Sequence, residues 1–131
     1  MTYLRFMLIL AVAAVLALPA AAAAGPNPTR VSLSPTANYV SPQQINLEVG
    51  LSCEEGVFYS ISAGVLQQQG PFMQIFGNGF VNGQCTGKHQ KVAVPVFSFS
   101  FPGWQLGDAL ADVHACAFTC DSAARSIRIS L

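Results

Sequence analysis

The feature that most constrains the fold of this chain is the strict alternation of apolar and polar residues at positions 45–53. The apolar positions are Ile45, Leu47, Val49, Leu51 and Cys53. Successive side chains of a β-strand point to opposite faces of a sheet, so a period of two predicts a strand with one buried and one solvated face. Cys53 falls on the buried face, and this face needs a second layer to cover it.

Shorter runs of the same kind recur along the rest of the chain. They begin near Val31, Val57, Lys91, Ala109 and Ile127. Turn signals separate these runs, and no stretch after residue 24 keeps a helical period over three turns. Several short strands with frequent turns in about 100 residues predict an all-β fold, an immunoglobulin-like β-sandwich of about seven strands.

Three local features refine the expected strand boundaries. Pro35 is expected to end the first strand, and Gly77-Asn78-Gly79 is a strong turn candidate. Pro95 interrupts an alternating run, which predicts an edge strand or a bulge. An extra residue inserted there would move the buried phase from the valines before Pro95 to the phenylalanines after it. These phenylalanines are Phe97, Phe99 and Phe101.

The N-terminus has the zones of a secretory signal peptide. Arg5 precedes an apolar run at residues 6–18, and small residues then favour cleavage before Gly25. The apolar run is shorter than the roughly 20 residues of a spanning helix, which argues against a membrane anchor. We therefore expect a cleaved signal peptide at residues 1–24 and one secreted domain at residues 25–131, extracellular or in the cell envelope.

Four cysteines lie in the expected exported part, and an even count in an exported chain predicts two disulfides. They are Cys53, Cys85, Cys116 and Cys120. Their spacing does not match the paired cysteines and histidines of zinc sites, so we expect no metal. A lipid anchor would need a cysteine at the cleavage point, and the first cysteine comes well after it.

Three disulfide connectivities are open: Cys53–Cys85 with Cys116–Cys120, Cys53–Cys116 with Cys85–Cys120, and Cys53–Cys120 with Cys85–Cys116. The second would imitate the inter-sheet bridge of antibody domains, which packs on a tryptophan of the third strand. The single tryptophan, Trp104, comes late in the sequence and in a loop. The pairing of Cys53 with Cys85 is favoured, because Cys116 and Cys120 are then left to form a short bridge that suits a hairpin turn.

The charge of residues 25–131 is sparse and scattered. Five Lys and Arg residues and six Asp and Glu residues give a net charge of about −1, since five minus six is −1. No block of charge suggests nucleic acid or an anionic membrane surface as a partner. The expected partner is a protein or a small hydrophobic ligand, with no cofactor and no membrane contact after signal cleavage.

Two stretches resemble known secreted proteins. The tail from Val113 to Ala124, with Cys116-Ala-Phe-Thr-Cys120, is similar to the last hairpin of the neocarzinostatin-type apoproteins. That resemblance implies a secreted sandwich that holds a chromophore in a cleft. The strand ending in Cys53, the stretch Gly83-Gln84-Cys85-Thr86-Gly87-Lys88-His89, a valine-rich strand and Pro102-Gly103 resemble a group of small secreted actinobacterial proteins of unknown function. The second resemblance implies an immunoglobulin-like fold and the Cys53–Cys85 pairing, and no activity.

The sequence contains few candidate catalytic residues. Asp112 and His114, with Asp108 and many serines, could supply a nucleophilic triad, but no G-x-S-x-G elbow is present. A surface pair at positions i and i+2 of one strand explains Asp112 and His114 more simply. Glu54-Glu55 suit a solvated turn, and His89 an exposed loop. We therefore predict no catalytic residues and no enzyme.

An aromatic-rich segment in the middle of the chain is the most informative candidate site. Its members are Phe72, Phe76, Phe80, Phe97, Phe99, Phe101 and Trp104. A core is expected to absorb most of them, and the alternative is a hydrophobic groove. The predicted ligand or partner contacts are Phe72, Phe76 and Trp104. A non-enzymatic binding or envelope-associated domain is the leading function, followed by a chromophore-type carrier of small molecules and a secreted proteinase inhibitor.

Overall fold

The fold is all-β in the computed structural model, which describes residues 27–131. The predicted signal peptide at residues 1–24 lies outside the described residues. Within residues 27–131 there are seven strands: β1 (Arg30–Ser41), β2 (Gln44–Ser52), β3 (Phe58–Gln69), β4 (Met73–Gln84), β5 (Gln90–Ser98), β6 (Gly107–Cys116) and β7 (Cys120–Ser130). The prediction of an all-β chain of about seven strands is confirmed.

The strands close into one barrel in the order β1-β2-β5-β4-β3-β6-β7, and β7 returns to β1. The predicted immunoglobulin-like β-sandwich is therefore wrong. Two short seams close the barrel. At one of them β1 runs parallel to β7, with Thr36 opposite Arg128 and Asn38 opposite Ser130. Neither seam leaves a periodic signal in the sequence, because each consists of only two or three residue pairs.

The second seam joins β4 to β5 through Gly77 opposite Ser98 and Asn78 opposite Phe97. The predicted turn at Gly77-Asn78-Gly79 is wrong, since these residues lie in the middle of β4. A Cβ at Gly79 would collide with the carbonyl oxygen of Pro95 on β5. Both glycines are thus explained by close approach of two strands and not by a turn.

Replacing Gly77 by alanine is expected to lower the free energy of unfolding by about 1–3 kcal/mol, the usual cost of overpacking. A Cβ there would lie 2.5 Å from the carbonyl oxygen of Phe97 and from Cζ2 of Trp104. The control is Gly64→Ala, whose Cβ would meet the exposed Asp112 carboxylate, a group that can rotate away. Urea denaturation measures the free energy of unfolding of both variants. Equal values for the two variants would contradict the close approach of β4 and β5 at this seam.

The barrel interior is filled by the inward row of each strand. On β2 this row is Ile45, Leu47, Val49 and Leu51, as predicted, and on β5 it is Val92, Val94 and Val96. The register between β2 and β5 is unbroken from Gln44–Phe97 to Leu51–Gln90. The predicted bulge and phase switch at Pro95 are therefore wrong. Ser98 takes the next inward position, and Phe97, Phe99 and Phe101 are exposed.

The first strand also differs from expectation, because it continues through Pro35 to Ser41. Pairing with β2 shifts between Leu33–Val49 and Ala37–Leu47, so three residues of β1 face one residue of β2. Pro35 lies in this bulge, where its missing N–H breaks no regular ladder. Pairing with β7 begins at the next residue, Thr36.

Both disulfides lie at one end of the barrel, with the pairing favoured from the sequence. Cys53–Cys85 joins the β2–β3 loop to the β4–β5 loop, and Cys116–Cys120 closes the β6–β7 turn. No cysteine is free. We call this end the disulfide end. Two disulfides fit an oxidising environment.

Candidate functional site

The opposite end of the barrel exposes a group of apolar side chains that we call the aromatic end. It consists of Phe72 and Met73 at the β3–β4 turn and Phe99, Phe101 and Leu106 in the β5–β6 loop. Phe72, Phe99 and Phe101 are 98%, 85% and 94% exposed. Monomeric soluble proteins rarely expose large apolar patches to water, so these side chains make this end the candidate interaction site.

The loop that carries Phe99 and Phe101 is held by a buried anchor directly after these two residues. Trp104 follows them, is 1% exposed, and donates its backbone N–H to the carbonyl oxygen of Pro42 at 2.7 Å. Gly103 has a φ of 89°, and a Cβ there would collide with the same carbonyl group. The exposed phenylalanines therefore project from a fixed loop.

Two glutamines of β3 complete this anchor. The side chain of Gln67 is buried, and its Nε2 donates to the carbonyl oxygen of Gln105 at 2.8 Å. The Gln105 N–H returns a hydrogen bond of 3.0 Å to Gln67 Oε1. Gln69 Nε2 donates to the carbonyl oxygen of Gly103 at 2.8 Å. Buried amides need such partners, so this network fixes the loop relative to the barrel.

The three aromatic residues predicted as contacts are separated by the structure. Phe72 belongs to the aromatic end, and Phe76 is half-exposed on the outer face of β4. Trp104 is part of the core and is not accessible to a partner. Sequence reasoning missed Phe99 and Phe101, because alternation with serine does not reveal which of the two residue types faces inward.

A short apolar row adjoins the aromatic end on the barrel wall. The register places Phe76 opposite Leu66, and Leu66 opposite Leu110, across β4, β3 and β6. A shallow groove of about 520 Å³ lies beside this row, with Asp112, Ala124 and Ser126 on its other side. Its volume is within the range of small-molecule sites, about 300–1,000 Å³.

Charge is absent from the loops of the aromatic end. Residues 42–43, 70–72 and 99–106 contain no Asp, Glu, Lys or Arg. The first charges on the adjoining wall are Asp108 and Arg128, which pair with each other at 3.4 Å. The polar groups around the end include several glutamines, among them Gln68 and Gln74, which share a hydrogen bond of 2.9 Å.

The histidine that could have served a triad has other neighbours. A hydrogen bond of 2.6 Å joins His114 Nδ1 to Ser122 Oγ, and His114 Nε2 lies 3.3 Å from Cys116 Sγ. The imidazole thus faces a disulfide where a triad would place an orienting carboxylate. His114, Cys116 and Cys120 bring three potential metal donors within 4.8 Å, but the two sulfurs are bonded to each other.

The hairpin closed by Cys116–Cys120 exposes Phe118 at its tip. A proteinase inhibitor would need an extended, rigid loop beside a bridge. This loop is instead a tight turn, because the Ala117 N–H donates to the Thr119 carbonyl oxygen at 2.9 Å. Thr119 Oγ1 also accepts a hydrogen bond of 2.8 Å from the Thr29 N–H. The inhibitor hypothesis gains no support from this geometry.

Comparisons with known proteins add little to this description. No protein-family model and no curated protein matches the sequence. Among solved structures, the chain is similar to Spo0M, a sporulation control protein from Bacillus subtilis, with a TM-score of 0.33 and 10% identity. The match covers 82% of this chain and 50% of that chain. At this score we draw no conclusion from it. Within residues 27–131, no helix has the length and hydrophobicity of a membrane span.

Proposed function

We propose that this protein is a secreted, non-enzymatic binding module that docks through its aromatic end onto a second copy of itself. The observation that carries this proposal is the near-complete exposure of Phe72, Phe99 and Phe101 at one end of the barrel. The anchored loop beneath Phe99 and Phe101 supports it, since a docking surface that is already ordered loses little conformational entropy on association.

The size of the aromatic end suits a protein interface. A buried aromatic side chain removes about 150–250 Å² from water. Three phenylalanines with Met73 and Leu106 thus offer on the order of 800 Å², which is what one partner contributes to a standard interface. Aromatic residues and methionine are enriched in the centre of interfaces, while charged residues are depleted there and the rim is polar. The uncharged loops and their glutamine rim follow this pattern.

The absence of charge favours a second copy as the occupant. A two-fold interface brings the same patch of both protomers together, so each charge on it would meet its own copy. The loops of the aromatic end carry no charged side chain that could repel in this way. Interfacial membrane-binding surfaces combine apolar side chains with Lys and Arg, and the loops of the aromatic end contain neither Lys nor Arg.

Two observations of different kinds support a secreted location. The two disulfides suit an oxidising compartment. Residues 1–24 have the composition of a signal peptide. Together they support export of the domain.

The experiment is sedimentation velocity of the oxidised protein over a wide concentration range. We expect a reversible dimer with a dissociation constant in the micromolar range or tighter, and little effect of high salt, because no ion pair contributes. Phe72→Ser with Phe101→Ser should abolish the dimer. Phe80→Ser is the matched control, because Phe80 is an exposed phenylalanine on the wall of β4.

Each other outcome contradicts the proposal. A wild-type protein that stays monomeric at all concentrations excludes the second copy. Loss of the dimer in Phe80→Ser places the interface elsewhere. A monomer that cosediments with neutral phosphatidylcholine vesicles makes the aromatic end a lipid-binding surface.

The groove beside Phe76, Leu66 and Leu110 favours a second candidate function, a carrier of a small apolar ligand. Native mass spectrometry of protein purified from its source tests this function. A retained ligand that is lost on Leu110→Asp would support it, and protein without any retained ligand would count against it.

A further inference from the structure

The two disulfides of the disulfide end differ in their surroundings. Cys53 and Cys85 are 2% and 3% exposed, inside the core cluster. Cys120 is exposed and Cys116 is half-buried on the outer face of the barrel. Exchange of a disulfide requires a thiolate to reach one of its sulfurs. The difference in exposure alone therefore predicts faster exchange at Cys116–Cys120 than at Cys53–Cys85.

His114 adds a specific chemical difference. Residues 114 and 116 of β6 are neighbours on the outer face because strand side chains alternate. The register pairs His114 with Ser122 of β7, and Cys116 with Cys120. The hydrogen bond between Ser122 Oγ and His114 Nδ1 orients the ring, and Nε2 then lies 3.3 Å from Cys116 Sγ. The imidazole is therefore in contact with one sulfur of the exposed disulfide.

This arrangement makes the two sulfurs unequal. Attack on the exposed Cys120 sulfur expels the Cys116 sulfur as a thiolate. A protonated imidazole beside that sulfur stabilises the developing negative charge and can donate its proton. Attack on Cys116 would instead expel the sulfur of Cys120, and it would have to reach the less accessible atom. Exposure and the position of His114 thus favour the same direction of opening.

We propose that Cys116–Cys120 is a thiol–disulfide exchange site at which an external thiol attacks Cys120 and His114 assists the departure of the Cys116 sulfur. The bond between the two cysteine sulfurs breaks, and a bond forms between the incoming sulfur and Cys120. The electron pair of the broken bond goes to the Cys116 sulfur, which takes the proton from His114. A second external thiolate attacks the external sulfur of this mixed disulfide, so the two external sulfurs form a disulfide with each other. The Cys120 sulfur leaves with the electron pair of the broken bond and takes a proton from water, and both cysteines are then reduced.

The fold tolerates opening of this bridge. Cys116 and Cys120 are opposite each other in a continuous β6–β7 ladder that extends to Gly107–Ile129. The hairpin therefore keeps its ends together after reduction. Cys53–Cys85 joins two separate loops, so its reduction removes a long-range link. Exchange at Cys116–Cys120 can thus occur in the folded barrel, at the end away from the docking surface.

The test treats the folded, oxidised protein with reduced glutathione, quenches with iodoacetamide, and locates each modified cysteine by peptide mass spectrometry. We expect Cys116–Cys120 to open at least about tenfold faster than Cys53–Cys85, which serves as the internal reference. The glutathione adduct should be on Cys120 and the alkylated free thiol on Cys116. Far-UV circular dichroism should show that the barrel stays folded.

His114→Gln should slow the opening several-fold and reduce the preference for Cys120, without a change in melting temperature. His89→Gln is the matched control, because His89 is the other histidine of the disulfide end and its Nδ1 lies 3.5 Å from Ser52 Oγ. Its rate and adduct position should equal those of the wild type. Equal opening rates of the two disulfides, glutathione on Cys116, or an unchanged rate in His114→Gln would each overturn the proposal.

Discussion

Replacement of Trp104 by alanine is expected to lower the free energy of unfolding by about 3–5 kcal/mol, the usual cost of removing a large aromatic side chain from a core. Trp104 is 1% exposed and is the largest fully buried side chain of the described residues. Its ring lies against Gly77, whose partner across the seam is Ser98. Two small residues leave room for the indole, so alanine would leave a cavity at the seam that closes the barrel.

The measurement is urea denaturation followed by far-UV circular dichroism, because the variant has no tryptophan fluorescence. Trp104→Phe should lose less stability, since phenylalanine fills part of the cavity and removes the indole N–H, which has no hydrogen-bond partner among the described residues. Phe80→Ala is the control. Its side chain is exposed on β4 outside the aromatic end, so its effect should be within about 0.5 kcal/mol. A loss below about 1 kcal/mol for Trp104→Ala would contradict its structural role.

The buried Trp104 also links stability to the candidate site. It anchors the loop that carries Phe99 and Phe101, together with the Gln67 and Gln69 hydrogen bonds. If Phe99 and Phe101 dock on a second copy, Trp104→Phe should weaken the dimer less than Phe72→Ser with Phe101→Ser, because the contacting side chains are still present.

The sequence predicts most of the strands but predicts neither β4 nor the closure of the barrel, for a physical reason. Alternation along 45–53 is local, and it determines which face of β2 is buried. The seam between β1 and β7 joins the first and last strands of the described residues, and the seam between β4 and β5 consists of only two residue pairs. Gly77 and Gly79 illustrate the ambiguity, since glycine serves equally in a turn and where two backbones approach closely.

The candidate site was predictable in part. Phe72 directly follows Gly70-Pro71, a pair typical of loops, and both Phe72 and Phe76 are exposed. The run from Phe97 to Phe101 alternates with serine, so either phase could be buried. Hydrophobicity favours burial of the phenylalanines, but the unbroken register of β5 with β2 keeps the valines inside and places Ser98 inward. Tertiary pairing therefore decides a choice that the local pattern leaves open.

Removal of the Cys53–Cys85 disulfide by the double substitution Cys53→Ala with Cys85→Ala is expected to cost about 3–4 kcal/mol. The bridge closes a loop between residues 32 positions apart, and a long loop gains much conformational entropy in the unfolded state when the link is cut. Backbone hydrogen bonds from Gly56 N–H to the Cys85 carbonyl oxygen and from Cys85 N–H to Val57 still join the two loops. The variant should therefore fold into the same barrel with lower stability.

The matched control for this loss is Cys116→Ala with Cys120→Ala, which should cost about 2 kcal/mol, because its loop spans only four positions. Urea denaturation of both variants and of the wild type gives the three free energies of unfolding. The short bridge joins residues that the β6–β7 ladder already holds opposite each other, whereas the long bridge connects loops between different strand pairs. A larger loss from the short bridge would show that Cys116–Cys120 is the main structural link, and it would also count against exchange at that site.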